Sequence, residues 1–247
     1  MTKIWKSVGF GLVMSGLFAS SVFAQVDRGL TTKIQREFPN LNVQEVNTLP
    51  NVGLFEIRFK HSPRIAYTNR EVTFFLVQGE VIDPRNMRNL TRDRETANVI
   101  KFYNELPFEK AISVKIGRGT RSIAIFTDPM CPFCKSTDKE IHEGLKGQDL
   151  TVHYFMNPLR IRGHEQSPLK AAKIWCSPNR EQAWLDWMLR GVLPNNPGTC
   201  PNPVDETKSL ATSLGFNSTP IILFDNGLVW QGAATAEDIL RVLNQQR

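Results

Sequence analysis

The stretch RSIAIFTDPMCPFCKSTDKEI, residues 121–141, restricts the fold more than any other part of the chain. Arg121 to Thr127 is a nearly continuous apolar run, the pattern of a strand buried on both faces. After the turn Asp128-Pro129-Met130, residues 134–145 read as a polar helix with Ile141 and Leu145 on one face. Cys131 stands where that helix begins, Pro132 occupies its first position, and Cys134 follows one turn later. The two cysteines could be metal ligands, a structural crosslink or a redox pair. Free N–H groups and the helix dipole at a helix start favour negative charge, which lowers a thiol pKa and populates the thiolate that attacks disulfides. This assigns attack to Cys131 and resolution of the mixed disulfide to Cys134. Zinc is disfavoured and no metal is expected, because Cys176 and Cys200 lack the matching spacing and His142, His153 and His164 stand alone. Asp128 is read as a turn-capping carboxylate rather than a proton shuttle, and Phe133 either lies on the rim of the site or fills a gap.

The compartment bears on this chemistry. The opening MTKIWKSVGFGLVMSGLFASSVFAQ has a basic start at Lys3 and Lys6, an apolar core from Val8 to Phe18 and small residues around Val22-Phe23-Ala24. It reads as a secretory signal peptide, residues 1–24, cleaved after Ala24. Its apolar run is shorter than the roughly 20 residues of a spanning helix, and no later stretch suits insertion in a membrane. Removing 24 residues from 247 leaves 223, and the formal charge of +6 falls to +4 without Lys3 and Lys6. The remaining basic residues are scattered and not interleaved with aromatics, so no nucleic-acid partner is expected. All four cysteines lie beyond residue 24, an even number in an exported chain where disulfides persist.

Two blocks follow. In residues 25–85, Leu30, Ile34 and Phe38 suit a short helix ended by Pro39. Residues 53–60 alternate Phe55, Ile57 and Phe59 with Glu56, Arg58 and Lys60, predicting one buried and one wet face. Residues 64–69 and 71–83 continue a small α+β sheet domain with a thin core. Residues 86–110 contain a helix over 91–106 whose apolar stripe is thin, predicting a connecting rod and not a core element. Residues 111–247 alternate strand (121–127), helix, strand (150–156), helices (167–176, 179–191, 204–215), hairpin (220–232) and a last helix (235–246) begun at Thr235 with Asp238 three residues on. That order is an α/β domain with a helical insertion at about 160–215.

FTDPMCPFC (126–134), KIWC (173–176) with the later Cys200, and Ser218-Thr219-Pro220 before an apolar strand together resemble the periplasmic disulfide isomerases of the DsbC/DsbG family over nearly the whole exported chain. The resemblance implies a small cystatin-like dimerisation domain, a linker helix and a thioredoxin-fold catalytic domain. It also implies a V-shaped homodimer in the periplasm of a Gram-negative bacterium, with no cofactor. A membrane-embedded DsbD-type reductase would keep the dithiol reduced. Pro220 would be a cis-proline beside Cys131 and Cys134, and the Thr219 backbone would hold an extended substrate. Cys176 and Cys200 would form a structural disulfide, worth roughly 3.5 kcal/mol for a loop of about 25 residues. The spacer Pro132-Phe133 is closer to the DsbG type, so substrates are either scrambled multi-disulfide proteins or single cysteines oxidised to sulfenic acid. Two further classes compete: a monomeric thiol oxidase, which leaves residues 25–106 without a purpose, and a chaperone with secondary redox chemistry.

Overall fold

A computed structural model describes residues 25–49, 52–60 and 62–245; the expected signal peptide, residues 1–24, lies outside the described residues. The first helix, α1 (Arg28–Glu37), starts at Asp27, whose carboxylate accepts the Leu30 N–H at 2.9 Å. It lays Leu30 and Ile34 on an antiparallel sheet of β1 (Val43–Thr48), β2 (Phe55–Phe59), β3 (Ile65–Thr68) and β4 (Leu76–Val77), in that order. Val46 pairs with Ile57 and Ile57 with Ala66, so the inward residues form one apolar layer under α1. A two-stranded ribbon, β5 (Ile82–Asp83) and β6 (Arg88–Asn89), leads into α2 (Leu90–Asn104).

Two expectations fail here. Glu56 is not on a wet face: it is 1 % exposed, with Arg94 of α2 3.6 Å away and Asn47 donating to it at 3.4 Å. The sheet has a second covered face because α2 crosses it, with the Tyr67 hydroxyl 2.7 Å from that of Thr91. Arg58 is half-buried against Glu45 at 2.7 Å, and only Lys60 is exposed. Nor is α2 a mere rod. Its later turns bury Val99 and Tyr103, with Leu106 just beyond, among Phe126, Phe155 and Leu223, and the Tyr103 hydroxyl donates to Ser122 at 2.8 Å. The helix divides its contacts between two cores and gives each only a turn or two, so neither produces a long apolar stripe.

The second sheet runs β11 (Val229–Gln231), β10 (Ile221–Phe224), β8 (Arg121–Thr127), β9 (Leu150–Met156), β7 (Ile112–Ile116). β8 and β9 are parallel and the other pairings antiparallel. Ile123 and Ile125 of β8 face one core, Ala124 and Phe126 the other, which explains the unbroken apolar run. β7 was not read from the sequence. It is an edge strand with Ile112 and Val114 buried and Ser113 and Lys115 exposed. The remaining helices are α3 (Pro132–Lys139), which widens into a π-turn over Glu140–Gly144, α4 (Ser167–Trp175), α5 (Arg180–Arg190), α6 (Val204–Ser213) and α7 (Ala236–Asn244). At α7 both arms of the Thr235–Asp238 capping box are present. Cys176, at the end of α4, is bonded to Cys200 in the loop before α6, which fastens the helical insertion.

Candidate active site

β8 ends at Thr127, and the chain turns through Asp128 before Cys131 takes the N-cap position of α3. Pro132 fills the first helical position, so the N–H groups of Phe133 and Cys134 are left to face the Cys131 sulfur. Cys131 is 4 % exposed and Cys134 1 %, and both are free thiols. The Cys131 thiol is lowered to about 5, chiefly by the hydrogen bond from Cys134, with help from the Thr219 side chain and the N–H groups of Cys134 and Phe133, against the opposing effect of burial. Burial pushes the Cys134 thiol far up. One sulfur is therefore an anion at neutral pH and the other a proton donor to it.

Thr219 and Pro220 are joined by a cis peptide, and the Thr219 carbonyl faces the Cys131 sulfur at 3.6 Å. The Thr219 hydroxyl is buried and makes no hydrogen bond with the site as a dithiol, yet it contributes to lowering the Cys131 pKa. A hydroxyl without a partner beside a thiol can turn its proton to the sulfur once that ionises. Thr219→Val keeps the shape and removes this donor, a loss of about 1 kcal/mol. The Cys131 pKa is then expected to rise by somewhat less than about one unit, making the dithiol a slightly stronger reductant. Ultraviolet thiolate titration of both proteins checks this, and an unchanged pKa assigns Thr219 to strand entry alone.

The structure thus brings Cys131, Cys134, Thr219 and Pro220 together. Pro132 and Phe133 lie on the rim, with Phe133 64 % exposed and filling no gap. Cys176 and Cys200 are elsewhere, bonded to each other. Asp128 caps the turn, accepting the Met130 N–H at 2.7 Å, but it does more than the sequence suggested. Fully buried, it also accepts the Leu159 N–H at 2.7 Å and the Ser167 hydroxyl at 2.5 Å, and His164 Nδ1 lies 2.8 Å away. His164 and Ser167 stand more than 35 residues from Asp128 in sequence, so no local pattern marks them.

Behind the site, α3 carries Asp138, buried beside Tyr154 of β9 and Trp184 of α5. Burial pushes its carboxyl up to about 7, only partly offset by those two neighbours. His142 lies 3.9 Å from it and 3.0 Å from the Tyr154 hydroxyl, and burial lowers the imidazole to about 4.

Known proteins match both halves of the chain. Residues 20–92 match the family described as the disulfide bond isomerase protein N-terminal domain, and residues 108–247 match the thioredoxin-like domain. A probable thiol:disulfide interchange protein DsbC of Bordetella pertussis is 31% identical over 208 residues, covering 84% of this chain and 70% of the relative. The thiol:disulfide interchange protein DsbC of Dickeya dadantii is 24% identical over 213 residues, 81% of this chain and 85% of that one. The crystal structure of a disulfide interchange protein from Neisseria gonorrhoeae is 40% identical with a TM-score of 0.51, covering 57% of this chain and 100% of that chain.

Proposed function

This chain belongs to the DsbC family of thiol:disulfide interchange proteins, and we propose that it reduces and isomerises non-native disulfides of exported proteins through Cys131 and Cys134. The observation that carries this is the opposite displacement of the two thiols, Cys131 down to about 5 and Cys134 up. The Cys131 thiolate attacks one sulfur of a client disulfide, a mixed disulfide forms, and the other client sulfur leaves as a thiolate. In isomerisation a different client thiolate attacks the client sulfur of the mixed disulfide, a new client disulfide forms and Cys131 leaves unchanged as a thiolate. In reduction Cys134 gives up its proton and attacks the Cys131 sulfur, the client leaves as a dithiol, and two electrons have passed to it. The oxidised site then needs two electrons, which we assign to a membrane-embedded DsbD-type reductase meeting the exported protein in the periplasm. Recovery of activity from a scrambled multi-disulfide substrate tests the isomerase reading; recovery no faster with the protein than without it overturns that reading. The Cys-Pro-Phe-Cys spacer and the exposed Phe133 favour a second substrate class, single sulfenylated cysteines, from which the Cys131 thiolate would displace hydroxide, taken up as water with a proton from solvent, before Cys134 resolves the mixed disulfide. Comparing the rates of the reduced protein on the two substrate types ranks them.

We further propose that residues 25–85 pair two copies. β4 is an edge strand with no further partner among the described residues, and Phe74, Leu76 and Val77 around it are exposed, Val77 at 61 %. Unpaired edges with apolar side chains invite strand pairing. Because Val99, Tyr103 and Leu106 belong to the second core, a truncated chain must keep α2 and start near Leu90 to fold. Such a chain is expected to sediment as a monomer and keep dithiol reductase activity. It should lose most isomerase activity, since one isolated site cannot hold a misfolded client. A truncated protein that stays dimeric overturns the assignment.

A further inference from the structure

Beside the dithiol, one indole carries two cations. Lys135 of α3 places its ammonium 4.2 Å from the centre of the Trp187 ring, and Lys170 of α4 places its own 4.3 Å from the same ring. Trp187, on α5, is fixed to the active-site loop by its N–H, which donates to the Pro129 carbonyl at 2.6 Å, two residues before Cys131. Lys135 lies in the first turns of α3, its backbone N–H donating to the carbonyl of the N-cap residue Cys131 at 3.1 Å. Among the described residues neither lysine has an acidic partner.

We propose that Lys135 and Lys170, held on Trp187, form a recognition site for acidic client segments, docking a carboxylate that flanks the cysteine under attack by Cys131. An aromatic face attracts a cation without neutralising it. Two ammonium groups on one ring therefore remain short of a counter-charge, and burial together with the neighbouring Lys170 lowers the Lys135 pKa, as expected for crowded like charges. A carboxylate docked on either ammonium supplies part of that missing counter-charge. Three helices fix the group, so little side-chain freedom is lost when an anion arrives. Leu169, next to Lys170, and Phe133, next to the nucleophile, are exposed and give the rest of such a segment apolar surface. The preferred client sequence is thus acidic and apolar around its cysteine.

This inference rests on the assignment of Cys131 as nucleophile, and the test separates the two. Cys134→Ala protein, which retains mixed disulfides, is mixed with two synthetic peptides that each carry one methylthio-capped cysteine and differ only in flanking Asp or flanking Asn. Capture of the acidic peptide is expected to be about fivefold faster at low ionic strength, and the ratio is expected to shrink toward one at about 0.5 M salt. In the same protein with Lys135→Gln and Lys170→Gln the ratio should fall to about one at low salt. A change in Cys131 itself moves both rates together and leaves the ratio alone. Equal capture of the two peptides at low salt, or a preference that survives loss of both lysines, overturns the docking site. Capture of neither peptide overturns the nucleophile assignment instead.

Discussion

Cys134→Ala protein is expected to accumulate mixed disulfides with clients, and Cys131→Ser protein to form none. The difference follows from the lowered pKa at the start of α3: only Cys131 is a thiolate at neutral pH, and only a thiolate attacks. Alkylation of the reduced Cys134→Ala protein should still require a thiolate, but loss of the Cys134 hydrogen bond, the largest influence on Cys131, should move its pKa upward from about 5. In the unsubstituted protein the alkylation rate should be flat near neutrality and fall tenfold per pH unit only below about 5. The same shift affects stability. The folded pKa lies below the unfolded value of 9.0, so the unfolded chain binds more protons between about 5 and 9, and the stability of the reduced form rises with pH across that window. Near pH 7 the gain over acid conditions is about 3 kcal/mol. Urea denaturation of reduced and oxidised protein should show the reduced form losing stability relative to the oxidised form as pH falls toward about 5. A client captured by Cys131→Ser protein, or a difference between the two forms that does not depend on pH, would contradict this.

Asp138→Asn is expected to stabilise the protein at alkaline pH and to have little effect in acid. The folded carboxyl, at about 7, holds its proton well above the unfolded value of 3.8. Between those values the folded state binds the extra proton, so this group's contribution is fully present below about 3.8 and is lost as pH rises through about 7. The loss approaches 4 kcal/mol if the whole shift is realised, since each unit is worth about 1.4 kcal/mol. Asn has nearly the same shape beside Tyr154 and Trp184 but cannot ionise. Cys131 titrates in both proteins and cancels in the comparison, while His142, 3.9 Å from Asp138, is held neutral by burial above about 4. Paired denaturation curves from about pH 4 to pH 8 should therefore diverge by roughly 3.5 to 4 kcal/mol. A stability difference that is the same at every pH would show that Asp138 does not hold its proton.

How much of this could be read in advance depended on how local its cause was. β8 was legible because its buried part, Ile123 to Phe126, is apolar on both faces, β9 because Leu150, Val152 and Tyr154 alternate with Thr151 and His153, and α5 because Asn179 caps its start and Gly191 its end. The dithiol was legible because its spacing, the proline between and the preceding strand are contiguous. Glu56 was misread because the helix that buries it comes more than 30 residues later, and alternation within β2 shows only that one face is apolar. β7 went unseen because five residues of an edge strand between Pro107 and Gly117 carry too little pattern to stand out from a loop. The link between Asp128 and His164 was invisible for the same reason: the fold, not the local sequence, brings them together.

The bond between Cys176 and Cys200 has a consequence for how the chain itself matures. Four cysteines can be joined in three ways. Here Cys176 and Cys200 are neighbours among the cysteines along the chain, as are Cys131 and Cys134. If the chain is exported amino end first, as proposed above, an oxidant that joins each new cysteine to the one before it closes 131 with 134 and then 176 with 200. Oxidation in order of emergence thus gives the structural bond directly and leaves the active-site pair joined only to each other, ready for reduction. A corrector of other proteins' mispaired cysteines is, by the order of its own, spared the need for one.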